Sequence, residues 1–213
     1  MMDINQALLE ETLRIKVNIL QMGAGNPIKS MIVTGANHGE GVSTVAANLA
    51  YAFALGDTSR VLLIDANARQ PNLHVLFDLS CENGFLDVIS SKIELTTGIK
   101  KTSFPNINVI TAGQLLKNNS LTAFNAISQD IKKSIEKDFD WVIYDTAPIN
   151  SSPETLMTVT LADSVILVIL AEKTRWQSVK KAKESLESVG ANILGAVLNS
   201  QKNYIPRVLY ERF

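Results

Sequence analysis

Gly39, Gly41, Ser43 and Thr44 fall within one short run, Ala36-Asn37-His38-Gly39-Glu40-Gly41-Val42-Ser43-Thr44. The run lies between a β-branched stretch, Ser30 to Thr34, and an Ala-rich stretch, Ser43 to Leu55, closed by Gly56. A strand, a glycine-containing loop and a helix in that order form the context of a Walker A phosphate loop. The glycines let backbone N–H groups curl toward a phosphate, the helix start adds partial positive charge, and Ser43 offers a hydroxyl to Mg²⁺. Gly39, Glu40, Gly41, Val42, Ser43 and Thr44 are therefore the candidate nucleotide contacts. The position that carries the phosphate-binding lysine holds Val42. Truncating one partner of such a desolvated charge pair costs ~2–5 kcal/mol, roughly a 30-fold to several-thousand-fold loss of affinity. Removing one donor to developing transition-state charge costs a further ~10²–10³ in rate. Taken alone, the run is equally an ordinary glycine turn opening a helix.

Two aspartates argue against that plainer reading. Val61-Leu62-Leu63-Ile64-Asp65 and Trp141-Val142-Ile143-Tyr144-Asp145 each end an apolar run in a carboxylate. In a parallel sheet, ligands sit at the carboxyl ends of the strands, so Asp65 and Asp145 would stand beside the loop and reach Mg²⁺ directly or through water. They are the candidate catalytic carboxylates, and Ser43, Asp65 and Asp145 form the candidate metal set. A single strand-end Asp is usually a cap or turn residue; three pieces in the correct order are not.

The elements that must position these groups are legible from pattern. Asn108 to Thr111, Ser164 to Leu170 and Ile193 to Leu198 are further apolar runs separated by helical lengths. Strands apolar on both faces that alternate with helices predict an α/β fold: a doubly wound, mainly parallel sheet of about seven strands, covered on both sides. Ile4, Leu8, Ile15, Ile19 and Met22 recur at helical spacing before the breaker Gly23 to Pro27. The 213 residues suit a single domain over 1–213, with a leading helix and linker (1–27) and a short polar tail (201–213). Basic and acidic side chains number 20 and 21, so no global field recruits nucleic acid or an anionic membrane. The one cysteine, Cys81, excludes an internal disulfide and reads as a small buried hydrophobe. Val165 to Ala171 is the longest apolar stretch, far short of the ~20 residues of a membrane span, and the acidic N-terminus lacks a signal-peptide pattern. The expected location is the cytoplasm.

Four segments, TGANHGEGVSTVAANLA, VLLIDANARQPNLHVLF, DWVIYDTAPI and SVGANILGAVLN, resemble in order and spacing the bacterial tyrosine kinases of capsule and exopolysaccharide synthesis. The free-standing cytoplasmic module of Gram-positive bacteria is the nearest type, within the wider set of partition and division-site P-loop ATPases. The resemblance runs from about residue 8 to about 200. It implies ATP and Mg²⁺ as cofactors, Asp65 as the Walker A′ aspartate, Asp145 as the Walker B residue and Asn199 as a contact to the base. It also implies a membrane polysaccharide co-polymerase as partner and membrane association only through it.

Departures from that pattern cluster in the chemistry. Val42 replaces the phosphate lysine, and Asn37 stands where the partition ATPases carry their second lysine. The usual Asp-x-Asp of Walker A′ reads Asp65-Ala66-Asn67, and Asn cannot take a proton as a carboxylate does. The Glu-x-x-Arg-x-x-Arg element that packs subunits into a ring reads Glu10, Leu13 and Lys16, which predicts a monomer or small assembly. Only Tyr204 and Tyr210 remain of the tail tyrosine cluster that such kinases autophosphorylate. Two functions follow. One is a regulatory or scaffolding relative with weak or no kinase activity, which an active kinase paralogue could join. The other is a working autokinase or ATPase that compensates with His38, Arg69 or a neighbouring subunit.

Of the remaining candidates, His38 reads first as a solvated loop residue and second as a phosphate donor. His74 has no metal-ligand spacing to His38. Arg69 reads as a loop cap or a phosphate contact, and Glu154 as a residue that bonds a loop or orders water. Trp141 reads as core. Trp176 stands among Lys173, Arg175, Lys180, Lys181 and Lys183, a charged face that is ordinarily just solvated.

Overall fold

The computed structural model describes residues 6–25, 27–56, 59–113 and 129–200. Tyr204 and Tyr210 lie outside them. In chain order the elements are α1 (Gln6–Met22), β1 (Ser30–Gly35), α2 (Val42–Ala54), β2 (Val61–Asp65), α3 (Leu73–Leu76), α4 (Phe85–Ile89) and α5 (Leu95–Gly98). There follow β3 (Lys100–Lys101), β4 (Ile107–Ile110), α6 (Gln129–Asp138), β5 (Trp141–Asp145), α7 (Pro153–Thr158), β6 (Ser164–Leu170), α8 (Trp176–Ser188) and β7 (Ile193–Asn199). They build a seven-stranded sheet in the order β3-β4-β2-β5-β1-β6-β7. All neighbours run parallel except β3, which pairs antiparallel with β4.

Both faces of β1, β2, β4, β5 and β6 are largely buried, which is why these strands read as continuous apolar runs, while the edge strands β3 and β7 are partly exposed. Met31, Val33, Leu63 and Ile143 point to one face, under Ile19 of α1 and the Ala-rich side of α2. Ile32, Leu62, Ile64 and Val142 point to the other, against Phe85 of α4, Ile135 of α6 and Leu186 of α8. The small residues Ala46, Ala47 and Ala50 let α2 lie directly on the central strands, with no exposed surface at any of the three. That places the loop preceding α2 at the carboxyl end of the middle of the sheet. Trp141 is half-buried and packs on Phe53 of α2, with ring centroids 4.1 Å apart.

Helix α1 docks on α2 through Ile19, which is buried, and Ile15, which is partly buried. Leu8, expected in the same packed stripe, is exposed and borders an open groove between α1, α2 and β7. Lys16, expected as an altered assembly residue, bonds within its own chain. Its Nζ donates to the carbonyl of Ala52 at 3.0 Å and lies 5.7 Å from the ring centre of Phe53, closing the C-terminal turn of α2. Among the described residues no helix is long and apolar enough to cross a membrane.

Candidate functional site

The phosphate loop is shaped by two left-handed glycines, Gly39 at φ 79° and Gly41 at φ 84°. Gly41 is also the N-cap of α2, so the chain turns into the helix without a side-chain cap. A Cβ on Gly41 would displace the side-chain amide of Asn199, and the left-handed backbone angle itself favours glycine. Asn199, expected as a base contact, here donates from Nδ2 to the Glu40 carbonyl at 2.9 Å and braces the loop from the end of β7. Glu40 faces inward and is buried. Its Oε1 accepts from Thr174 Oγ1 at 2.7 Å and from Asn37 Nδ2 at 3.3 Å, while no donor among the described residues reaches Oε2. The loop is thus held in shape by β6 and β7 before any ligand arrives. Thr174 and the bracing role of Asn199 were invisible in sequence, since both act across more than 130 residues of chain.

Parallel pairing sets Asp65 directly opposite Asp145 at the ends of β2 and β5. Both side chains are fully buried, yet their surroundings differ. Asp65 accepts backbone N–H bonds from Asn67 at 3.1 Å and from Asn72 and Leu73 at 3.0 Å each. Burial pushes its carboxyl up to about 6, against the pull of those three N–H groups and of the nearby His74. Neither oxygen of Asp145 has a donor in full hydrogen-bonding geometry among the described residues, the Ser43 hydroxyl standing nearby without completing a bond. Burial first, and the facing Asp65 second, hold its carboxyl well above the usual range, with the Ser43 hydroxyl acting the other way. Asn67 is a turn residue: its Oδ1 accepts from the Gln70 N–H at 3.1 Å.

The glycine loop borders a cavity of about 350 Å³ that runs past Asn67 and Gln70 to Thr146 and Pro148. The loop residues and Asn67 line it, while Asp65 and Asp145 face each other at the strand ends, fully buried and outside the lining. Arg69 does not line it. Its guanidinium forks onto the carboxylate of Glu154, which is nearly fully buried at the start of α7. His38 does line it, and its Nε2 lies 3.0 Å from Ser151 Oγ. His74 lies near Asp65, its Nδ1 buried and without a hydrogen-bond partner among the described residues. Cys81 is half-buried, its thiol 3.6 Å from the Gly113 carbonyl. Trp176 is exposed and Lys180 lies over its ring, a solvated arrangement.

The residues present fit a phosphate and a divalent cation unequally. The glycine loop and the helix start offer N–H groups to an anion. An orphaned, buried carboxylate beside a serine hydroxyl fits Mg²⁺ at Asp145 and Ser43. No group of three His, Cys, Asp or Glu side chains with ligand geometry occurs among the described residues, so such an ion would complete its shell with phosphate oxygens and water. The missing element is fixed positive charge: among the described residues lining the cavity there is no Lys or Arg.

Residues 29–198 match a protein family described as an AAA domain. The chain is 35% identical to the putative tyrosine-protein kinase CapB of Staphylococcus aureus, over 87% of this chain and 81% of that protein. It is 32% identical to the tyrosine-protein kinase YwqD of Bacillus subtilis (strain 168), over 91% and 81%. The chain belongs to the bacterial tyrosine-protein kinase family. Solved relatives agree with this membership. The chimerical protein CapA2B2 superposes with a TM-score of 0.83 at 28% identity, covering 91% of this chain and 85% of that one. The kinase domain of the Escherichia coli tyrosine kinase ETK superposes at 0.80 and 27%, covering 93% and 79%. The cell division ATPase MinD of Pyrococcus furiosus, at 24% identity and a TM-score of 0.67 over 86% and 78%, shares the P-loop fold.

Proposed function

We propose that this member of the kinase family is a regulatory or scaffolding module of capsular or exopolysaccharide synthesis, with weak or no kinase activity. One observation carries the reading: an apolar Val42 opens α2 where the phosphate lysine belongs, in a cavity whose described lining contains no Lys or Arg. The Asn67 amide supports it, because it is committed to a turn and cannot serve as a base. What remains, the glycine loop with Ser43, Thr44, Asp65 and Asp145, supports binding of ATP and Mg²⁺ without efficient phosphoryl transfer. Chain 1–213 acts in this reading as one cytoplasmic domain that reaches the membrane through a polysaccharide co-polymerase, alone or beside an active kinase paralogue. Incubation with labelled ATP and Mg²⁺ tests it: the expected result is no phosphate on Tyr204 or Tyr210 above background. Labelling at the turnover of an active relative would overturn it.

A further inference from the structure

The site has a weakness that its own residues can partly correct. A nucleoside polyphosphate entering the cavity meets N–H dipoles but no fixed positive charge among the described lining residues. Asp65 and Asp145 lie buried at the strand ends beyond the lining, and Glu40 lies under the loop. Arg69, from the turn after β2, is neutralised by Glu154 of α7. Val42 contributes no charge. Of the described residues lining the cavity, His38 is the one whose side chain can become cationic.

We propose that His38 takes the place of the missing lysine as the phosphate-binding cation of this site, and that nucleotide binding is consequently coupled to protonation of its imidazole. The inference rests on the reading above that the loop still accepts ATP. Position supports it, since His38 precedes Gly39 in the phosphate loop and borders the same cavity as Ser43 and Thr44. Orientation supports it independently. Ser151 Oγ lies 3.0 Å from Nε2 and donates to the Pro148 carbonyl at 3.4 Å, so its oxygen is left to accept from an Nε2–H. That bond fixes the ring and leaves Nδ1 as the nitrogen that gains the second proton. The Ser151 hydroxyl after β5 meets the ring, and Asn37 and the buried Glu40 carboxylate belong to its own loop. A bound polyphosphate adds anionic charge beside the ring, which favours the imidazolium. Binding therefore takes up a proton, and affinity rises as pH falls.

The test is calorimetric titration of the full chain with ATP in EDTA at pH 5.5, 6.5 and 8, each in two buffers of different ionisation enthalpy. The terminal phosphate of ATP also titrates near pH ~6, so the readout is the difference between wild type and His38→Asn with the same ligand. Leaving Mg²⁺ out keeps the carboxylate cation site from contributing an opposite trend. We expect wild type to bind about tenfold tighter at pH 5.5 than at pH 8, beyond any trend in His38→Asn, the scale of one hydrogen bond to a charged group. It should also take up more protons than the variant at pH 6.5. His38→Lys should bind more tightly than wild type at pH 8 and lose the extra pH dependence. Equal pH profiles for wild type and His38→Asn, or no wild-type binding at pH 5.5, would overturn the proposal. Neither outcome depends on kinase turnover, so the proposed function and this inference fail separately.

Discussion

Replacing Asp145 by Asn is the sharpest test of the site's electrostatics, because it changes charge with almost no change in shape. Asp145 is fully buried, faces Asp65 across the β2–β5 ladder, and has neither oxygen hydrogen-bonded among the described residues. A buried charged group left unsatisfied costs ~1–3 kcal/mol or more. Its removal also lifts the repulsion on Asp65, so Asp145→Asn should stabilise the metal-free protein by about 2 kcal/mol at pH 8. For a chain of this length that corresponds to a Tm rise of roughly 4–8 °C. The sign follows from the raised carboxyl affinity for protons. The folded state binds a proton more readily than the unfolded chain, so the cost of ionised Asp145 is fully present above the folded pKa and disappears as pH falls toward the unfolded value. The gain must therefore shrink between pH 8 and pH 5. Thermal unfolding followed by circular dichroism in EDTA measures it. A variant that melts below wild type at pH 8, or whose gain is the same at both pH values, refutes the argument. Added Mg²⁺ and ATP should then stabilise wild type more than the variant.

Three further outcomes follow from particular contacts. Gly41→Ala forces a Cβ into Asn199 Nδ2 at a left-handed backbone position, which should cost about 2–3 kcal/mol and abolish the heat of ATP titration. Lys16→Ala loses the bond to the Ala52 carbonyl and the contact with Phe53, and chemical denaturation should show a loss of about 1–2 kcal/mol as α1 loosens from α2. Arg69→Ala strands the buried Glu154 carboxylate. With the arginine itself half-exposed, the cost should be about 1–3 kcal/mol, and adding Glu154→Gln should recover most of it in a double-mutant cycle.

The sequence carried the fold class because its information is local and periodic. β-branched runs buried on both faces, separated by helical lengths, specify a parallel doubly wound sheet, and six core strands lie within a residue or so of the expected limits. The strand β3, Lys100–Lys101, escaped notice because two lysines at a sheet edge carry neither hydrophobic alternation nor β-branching. The glycine loop, the strand-end aspartates and the replacement of lysine by Val42 were likewise legible, since each is a residue type at a fixed offset from a strand end. Contacts formed by chain segments remote in sequence were decided only by the tertiary structure. Asn199 meets the loop's backbone, and Arg69 is committed to Glu154, a partner 85 residues away. Lys16 turns inward onto α2, and His38 is seated against Ser151 beside the cavity. The contrast between a well-bonded Asp65 and an orphaned Asp145 also belongs to the fold. Both read as the same letter after the same kind of strand, and only the N–H groups of the turn at Asn67, Asn72 and Leu73, folded back over one carboxylate and not the other, make them chemically different.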